Sequence, residues 1–166
     1  MSADPSTSAV PLGLKYCHEP LEDSETSIRP LQLKDDQEGT QLQLSLRSWR
    51  LSDVPHYATL SYTWADKEDT RDVLVNNAVF VITKNCWLAL TRLRKLAKES
   101  NYFWIDAICI NQLDERERSA QVNIMGRIYR GSSVTYVLLS EHGLAGRYLF
   151  EDMPFLTAAG YNASQS

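Results

Sequence analysis

Residues 102–129, YFWIDAICINQLDERERSAQVNIMGRIY, begin as an apolar run and then turn abruptly polar. The aromatic and β-branched beginning is typical of a strand buried on both faces, which predicts that Asp106 lies where that strand ends. Asp114 and Glu117 follow with the D-x-x-E spacing of a helix N-terminal capping box. The stretch therefore predicts a strand, a polar connection and a capped helix, the parts from which α/β enzymes build sites at strand ends.

The second half of this stretch predicts an amphipathic helix. Its apolar positions recur at helical spacing and form one face, which comprises Val122, Ile124, Met125, Ile128 and Tyr129. Gly131-Ser132-Ser133 is predicted to break the helix. Residues 134–139 then have the composition of another buried strand.

Further strands are predicted upstream of this stretch. Residues 28–33 and 41–46 alternate leucine with polar residues, so we expect them to pair as a hairpin. Residues 57–64 (YATLSYTW) are aromatic and β-branched, as in a buried strand. Residues 73–82 alternate around Asn76-Asn77, a pair that tolerates the backbone of a tight hairpin turn.

A second helix is predicted between these strands and the stretch at residues 102–129. Thr83 is expected to cap it, and its apolar stripe comprises Cys86, Leu90, Leu93 and Ala97. Strand, helix, strand, helix, strand is the order across residues 57–139. This order favours an α/β domain with a partly parallel sheet and additional N-terminal β-hairpins.

The length of 166 residues is typical of one folded domain. Residues 1–14 are predicted to form a disordered leader, because Ser, Ala and Pro dominate it without periodicity. Residues 15–140 are predicted to form the domain. Residues 141–166 carry scattered glycine and proline, and we expect them to be the start of a C-terminal extension that is cut short.

Composition excludes several classes of function. The net charge of −4 gives no overall positive field for nucleic acid or an anionic membrane. Cys17, Cys86 and Cys109 are odd in number and widely spaced, which indicates reduced thiols and predicts a cytoplasmic protein without a metal site. The N-terminus lacks a secretory signal, and no apolar run approaches the ~18 residues that a membrane span needs.

The sequence contains no P-loop, dinucleotide-binding, zinc-protease or serine-hydrolase motif. Asp106 and Glu117 are the candidate catalytic carboxylates. A capping box alone would explain the position of Glu117, whereas Asp106 has no evident local structural role. Cys109 and His56 could form a nucleophile and base, but a buried cysteine that packs as a small hydrophobe is the simpler interpretation.

Four blocks in order resemble the fungal heterokaryon incompatibility (HET) domain. They are YATLSYTWAD at 57–66, ITKNCWLAL at 82–90, WIDAICINQ at 104–112, and ERSAQV at 117–122 followed by Met125, Ile128 and Tyr129. This resemblance implies a role in fungal nonself recognition, in which such proteins trigger regulated cell death when incompatible hyphae fuse. It also implies a distant relationship to Toll/interleukin-1 receptor (TIR) domains, which are flavodoxin-like three-layer folds that either assemble or cleave NAD.

The TIR-like relationship implies a site for NAD as substrate, with no other cofactor required. Glu117 lies on the helix where the TIR catalytic glutamate would be sought, and Asp106 is expected beside it as a second catalytic carboxylate. The residues expected to hold the nucleotide are Ser61, Tyr62, Trp64, Asp66 and Asn111. Two alternatives stay open: a non-enzymatic module that associates with itself or with a signalling partner, and an inactive, truncated relative.

Overall fold

The computed structural model describes residues 13–34, 41–62, 68–96, 102–140 and 143–148. The strands in these parts are β1 (Ser27–Ile28), β2 (Leu31–Leu33), β3 (Gln43–Leu46), β4 (Trp49–Arg50), β5 (Tyr57–Tyr62), β6 (Thr70–Val75), β7 (Ala78–Thr83), β8 (Tyr102–Trp104), β9 (Val134–Ser140) and β10 (Gly143–Tyr148). The helices are α1 (Lys84–Leu96), α2 (Asp106–Cys109) and α3 (Glu115–Gly131). None of the helices in these parts is long and apolar enough to cross a membrane.

The main sheet has the strand order β10-β9-β5-β8-β2-β3-β6-β7. Its centre is parallel, because Ala58 of β5 pairs with Phe103 of β8 on one side and with Val134 of β9 on the other. After β5 the chain forms β6, β7 and α1 before it returns to the centre of the sheet as β8 on one side of β5. It then crosses over β5 through α3 to form β9 on the other side. The remaining pairs are antiparallel apart from β3 with β6, so the predicted α/β fold with a partly parallel sheet is confirmed.

The two long helices lie on opposite faces of β5. Tyr57 and Tyr62 are an odd number of residues apart, so their side chains leave the strand on opposite sides. The Tyr57 hydroxyl donates to the backbone oxygen of Ile128 in α3 at 2.6 Å. The Tyr62 hydroxyl instead forms a hydrogen bond with Cys86 in α1. The centre of the sheet is therefore covered on both faces, and the fully buried side chains include Leu60, Leu90, Leu93, Trp104, Ile105, Ile108 and Ile128.

The predicted hairpins are present. β2 and β3 pair antiparallel, with Leu31 opposite Leu46. β6 and β7 meet at Asn76 and Asn77, whose φ angles of 49° and 67° are those that asparagine tolerates in a tight turn. Thr83 caps α1 as expected, because its hydroxyl accepts the Cys86 N–H at 3.3 Å.

The structure corrects the predicted face of α3. Val122 belongs to the predicted core face, but 39% of it is exposed. The buried positions instead include Glu117 and Gln121, one turn apart, followed by Ile124 and Ile128. Apolar periodicity could not identify this face because two of its residues are polar.

The predicted helix break at Gly131-Ser132-Ser133 is confirmed. Gly131 is the last residue of α3, and Ser132 is its C-cap. A Cβ atom at residue 131 would lie 3.0 Å from the Tyr57 hydroxyl oxygen, which the hydrogen bond to Ile128 holds in place. A methyl group at residue 131 would therefore force Tyr57 or the end of the helix to shift by a few tenths of an ångström.

Gly131→Ala is therefore expected to destabilise the protein by about 1–2 kcal/mol, as overpacking of a core typically does. In a Tyr57→Phe background the obstructing oxygen is gone, and the same substitution should become neutral or stabilising because alanine favours helix. Chemical denaturation of the four proteins of this double-mutant cycle measures the coupling. Additive effects would contradict the close contact.

Candidate functional site

Polar side chains gather at the C-terminal ends of β5 and β8. Tyr62 is the last residue of β5, and Asp106 follows β8 as the first residue of α2. The two strands are parallel neighbours, with Thr59 opposite Trp104, so their ends lie at the same edge of the sheet. Open α/β sheets bind their ligands at this edge, where successive crossovers run in opposite directions.

Tyr62 is half-buried at this edge and forms side-chain hydrogen bonds with Cys86 and Thr83. Burial raises the pKa of Tyr62 far above its ordinary value, and the nearby negative charge of Asp106 raises it further. Burial likewise raises the pKa of the Cys86 thiol to about 12. Both groups are therefore protonated at neutral pH, and the phenol is a hydrogen-bond donor rather than a base.

Asp106 begins a short helix that the sequence did not predict. Its Oδ1 atom accepts the N–H of Ala107 at 2.7 Å, which gives this carboxylate a local structural role. Its backbone oxygen accepts the N–H of Ile110 at 3.2 Å and the Nε2–H of Gln112 at 3.0 Å. Asp106 thus shapes the connection after β8 and also contributes negative charge beside Tyr62.

The other predicted nucleotide-binding residues are only partly brought together. Ser61 precedes Tyr62 in β5, so its side chain leaves the opposite face of the sheet. Asn111 lies in the turn before α3, where its Oδ1 accepts the Leu113 N–H at 3.2 Å. Trp64 and Asp66 lie outside the described residues.

Glu117 occupies a different environment from the cluster of Tyr62, Cys86 and Asp106. Only 3% of Glu117 and 2% of Arg29 are exposed, and the two form a bidentate ion pair. The Arg29 Nη1 and Nη2 atoms lie 2.7 and 2.5 Å from the two carboxylate oxygens. The Asn111 N–H donates to the same carboxylate at 2.8 Å. Both oxygens of Glu117 are therefore engaged inside the protein.

The N–H groups of Arg29 are also all engaged within the protein. Its remaining N–H groups donate to the backbone oxygens of Glu19, at 3.1 and 2.8 Å, and of Cys109, at 3.0 Å. The guanidinium thereby joins the N-terminal segment, the end of α2 and the first turn of α3. A buried ion pair of this kind is costly to disrupt from one side only, because the partner is left charged and unpaired.

One half of the predicted capping box is present at the start of α3. Asp114 is the N-cap, and its Oδ1 accepts the N–H groups of Arg116 at 3.0 Å and of Glu117 at 3.2 Å. The Glu117 side chain does not return to the Asp114 N–H, which donates to the Asn111 oxygen at 3.1 Å. The carboxylate is directed to Arg29 because that cation is buried beside it.

Cys109 does not form a nucleophile with His56. Cys109 is fully buried, burial raises its pKa to about 12, and its sulfur accepts the Ile105 N–H at 3.3 Å. His56 is exposed. In the described parts of the chain no three His, Cys, Asp or Glu side chains gather as a metal site would require.

His18 is a half-buried titratable group that the sequence did not single out. Its Nε2 atom lies 2.7 Å from the Ile108 backbone oxygen, to which the neutral ring donates. Burial lowers the pKa of His18 below its ordinary value of about 6.5, and the charge of Arg29 lowers it further, against the opposing effects of the hydrogen bond to Ile108 and of Glu117. The folded protein therefore binds this proton less tightly than the unfolded chain does.

Stability is accordingly expected to be complete above the unfolded pKa of about 6.5 and to decline as pH falls through it toward the folded pKa. His18→Gln should flatten this decline in denaturation curves recorded between pH 8 and pH 5. His56→Gln is the matched control, since His56 is exposed, and it should keep the wild-type profile. An unchanged slope in the His18 variant would contradict the assignment.

Comparison with known proteins identifies the family to which this chain belongs. The profile of the family described as Heterokaryon incompatibility protein (HET) matches residues 57–162, from β5 to beyond β10. The chain belongs to the HET family. The match includes β5, α1, β8, α3 and β9, which are the elements that surround the parallel centre of the sheet.

Two curated relatives of the HET domain are longer than this chain. Heterokaryon incompatibility protein 6, OR allele, of Neurospora crassa is 35% identical over 132 residues, which are 72% of this chain and 19% of the relative. Vegetative incompatibility protein HET-E-1 of Podospora anserina is 29% identical over 96 residues, which are 53% of this chain and 7% of the relative. The chain thus spans a fifth or less of these relatives. No solved structure matches it.

Two polar residues of the ERSAQV block of this HET domain, Glu117 and Gln121, lie on the inner face of α3. Glu117 binds Arg29, and the Gln121 amide donates to the backbone oxygens of Ser24 and Ser27, each at 2.8 Å. Both side chains therefore attach the N-terminal segment to the helix. Neither lies in the cluster of Tyr62, Cys86 and Asp106.

Proposed function

We propose that this HET domain acts in fungal nonself recognition and contributes to regulated cell death. The support is the family match over residues 57–162 together with two relatives that are named for incompatibility. The three free cysteines, one exposed and two buried, suit a reducing compartment, so we place this function in the cytoplasm.

The molecular activity that the geometry supports best is association, with a second copy or with a signalling partner. The observation that carries this proposal is the buried pair of Glu117 and Arg29. A carboxylate that is 3% exposed, with both oxygens engaged, is poorly placed to contact a substrate. On this proposal the ERSAQV block supports the fold on which an interaction surface is displayed.

Light scattering of the purified chain over a range of concentrations tests this proposal, alongside inducible expression in a filamentous fungus with dye uptake as the measure of death. We expect reversible oligomers and loss of viability with the wild type. Arg29→Met, which disrupts the buried pair, should abolish both. A chain that stays monomeric at high concentration while still killing cells would exclude self-association, and a chain that leaves cells viable would contradict the role in death.

A second candidate activity is hydrolysis of NAD at the ends of β5 and β8, the TIR-like alternative. It is supported by the doubly wound order of β8, β5 and β9 and by the proximity of Asp106 and Tyr62 at that edge. In this mechanism the Asp106 carboxylate would bind the ribose hydroxyls and stabilise the positive charge that develops as nicotinamide leaves. The protonated Tyr62 hydroxyl would donate a hydrogen bond to the substrate.

Chromatography of nicotinamide released from NAD separates the two candidates. If the domain is an enzyme, Asp106→Asn should reduce release by about 100-fold or more, the size of effect expected for an electrostatic stabiliser. Asp53→Asn is the matched control, since Asp53 is exposed in the connection before β5. Absence of release by the folded wild type, dilute or concentrated, would eliminate this candidate.

A further inference from the structure

A groove of about 540 Å³ lies between the N-terminal segment and the connection that follows β3. Lys15, Tyr16 and Glu19 contribute to it from the N-terminal segment, Leu46 from the end of β3, and Arg47 from the connection that follows. Its volume is within the range of about 300–1,000 Å³ that small-molecule sites occupy. Tyr62 and Asp106 do not line it, so this groove is separate from the strand-end cluster.

Hydrogen bonds fix both walls of the groove. On one side the Tyr16 N–H donates to the Val79 oxygen and the Val79 N–H donates to the Leu14 oxygen, each at 2.8 Å, which pairs the segment around Lys15 with β7. On the other side the Asn76 amide bonds to both the N–H and the oxygen of Leu46, at 3.0 and 3.1 Å. Lys15 and Arg47 thus extend from backbone that is already held, which reduces the entropy cost of binding.

The cations of the groove are available to a ligand. No carboxylate of the described residues forms an ion pair with Lys15 or Arg47. The Arg47 guanidinium carbon lies 4.7 Å from the centre of the Trp49 ring. Stacking uses the face of the guanidinium and leaves its in-plane N–H groups free to donate. Arg29 also lines the groove, but its N–H groups are already engaged.

We propose that this groove binds a small molecule that carries a phosphate monoester. Arg47 provides the planar pair of donors that matches two phosphate oxygens, and Lys15 provides a second positive charge on the facing wall. Leu46 and Ala78 supply apolar surface for the body of the ligand. Glu19 accepts hydrogen bonds from the hydroxyl or ammonium groups of the ligand and disfavours additional negative charge at its end of the groove.

The test is a ¹⁵N NMR titration of the whole chain with adenosine 5′-monophosphate, inorganic phosphate and adenosine as probes. We expect saturable shifts of the Lys15, Tyr16 and Ser48 amides with the two phosphate-containing probes and none with adenosine. Arg47→Gln and Lys15→Gln should each weaken the binding of adenosine 5′-monophosphate by about tenfold, the effect of removing one charged hydrogen-bond donor. Raising the salt concentration should weaken binding further.

Arg50→Gln is the matched control, because it removes the same charge from an exposed arginine that pairs with Glu22 and does not line the groove. It should bind like the wild type. An equal loss of affinity in Arg50→Gln, or amide shifts that never saturate, would mean that binding reflects general electrostatic attraction. Either result would overturn the proposal. Binding to phosphatidylserine vesicles without any shift from adenosine 5′-monophosphate would also overturn it, in favour of a lipid surface.

Discussion

Arg29→Met is expected to lower the free energy of unfolding by about 3–5 kcal/mol, the usual effect of removing one partner from a buried ion pair. Glu117 would stay buried with a charge that only the Asn111 N–H still contacts. The backbone oxygens of Glu19 and Cys109 would also lose their donor. For a domain of this length the melting temperature should fall by roughly 10 °C.

Glu117→Gln tests the same pair from the other side and decides between two roles for this residue. If Glu117 acted only in catalysis, its substitution would leave the melting curve nearly unchanged. If it acted only as a capping residue, its substitution would lower the free energy of unfolding by about 0.5–2 kcal/mol. The buried pair predicts about 3 kcal/mol or more, because Arg29 keeps its charge without a partner. A melting curve like that of the wild type would exclude the structural role.

Two further variants make the comparison specific to the pair. Arg29→Met with Glu117→Leu removes both charges and should recover much of the lost stability, since apolar replacements of buried ion pairs are often neutral. Arg50→Met removes an arginine that is 64% exposed and lies 3.6 Å from Glu22. Its effect should stay below about 1 kcal/mol, as for most surface pairs. Equal losses in Arg29→Met and Arg50→Met would show that burial of the pair is unimportant.

Much of the fold follows from local patterns in the sequence. The turn at Asn76-Asn77 depends on φ angles that asparagine tolerates, and the caps at Thr83 and Asp114 involve side chains that accept N–H groups within three residues. Such signals are readable without knowing the rest of the chain. Pro30 was the missed local signal: the strand predicted over residues 28–33 is divided into β1 and β2 at Arg29-Pro30.

The candidate site was less predictable because its partners are distant in sequence. Glu117 fits a capping box by spacing alone, and only the folded chain brings Arg29 to it. A charged residue within the apolar run SIRPL was the available signal, since a buried cation needs a partner, but the sequence does not say which. The orientation of Val122 is likewise not readable from the sequence. Val122 fits the helical period, yet it faces outward because Gln121 takes the inner position.

Both polar residues on the inner face of α3 attach the N-terminal strands to the parallel part of the sheet. Glu117 binds the side chain between β1 and β2, and Gln121 binds the backbone before and within β1. The N-terminal segment and the α/β unit should consequently unfold as one cooperative body. Loss of either attachment would expose the segment that also forms one wall of the groove at Lys15.

Gln121→Glu should have the second large effect, and it has a distinctive pH dependence. Gln121 is fully buried, and its amide donates to the Ser24 and Ser27 oxygens at 2.8 Å. A carboxylate there would face two acceptors and be left as an unpaired buried charge, which should cost about 3–5 kcal/mol at pH 7. Burial would raise its pKa above the ordinary glutamate value of about 4.3.

Because the folded pKa of the new carboxyl group is raised, the variant's stability deficit grows as pH rises above the unfolded pKa and shrinks as pH falls toward it. Urea denaturation from pH 7 to pH 4.5, with the wild type measured at each pH, gives this difference directly. Gln121→Met is the control: it loses the same donors without adding a charge, so its deficit should not change with pH. A pH-independent deficit in Gln121→Glu would mean that residue 121 reaches solvent and that the N-terminal segment is not held against α3.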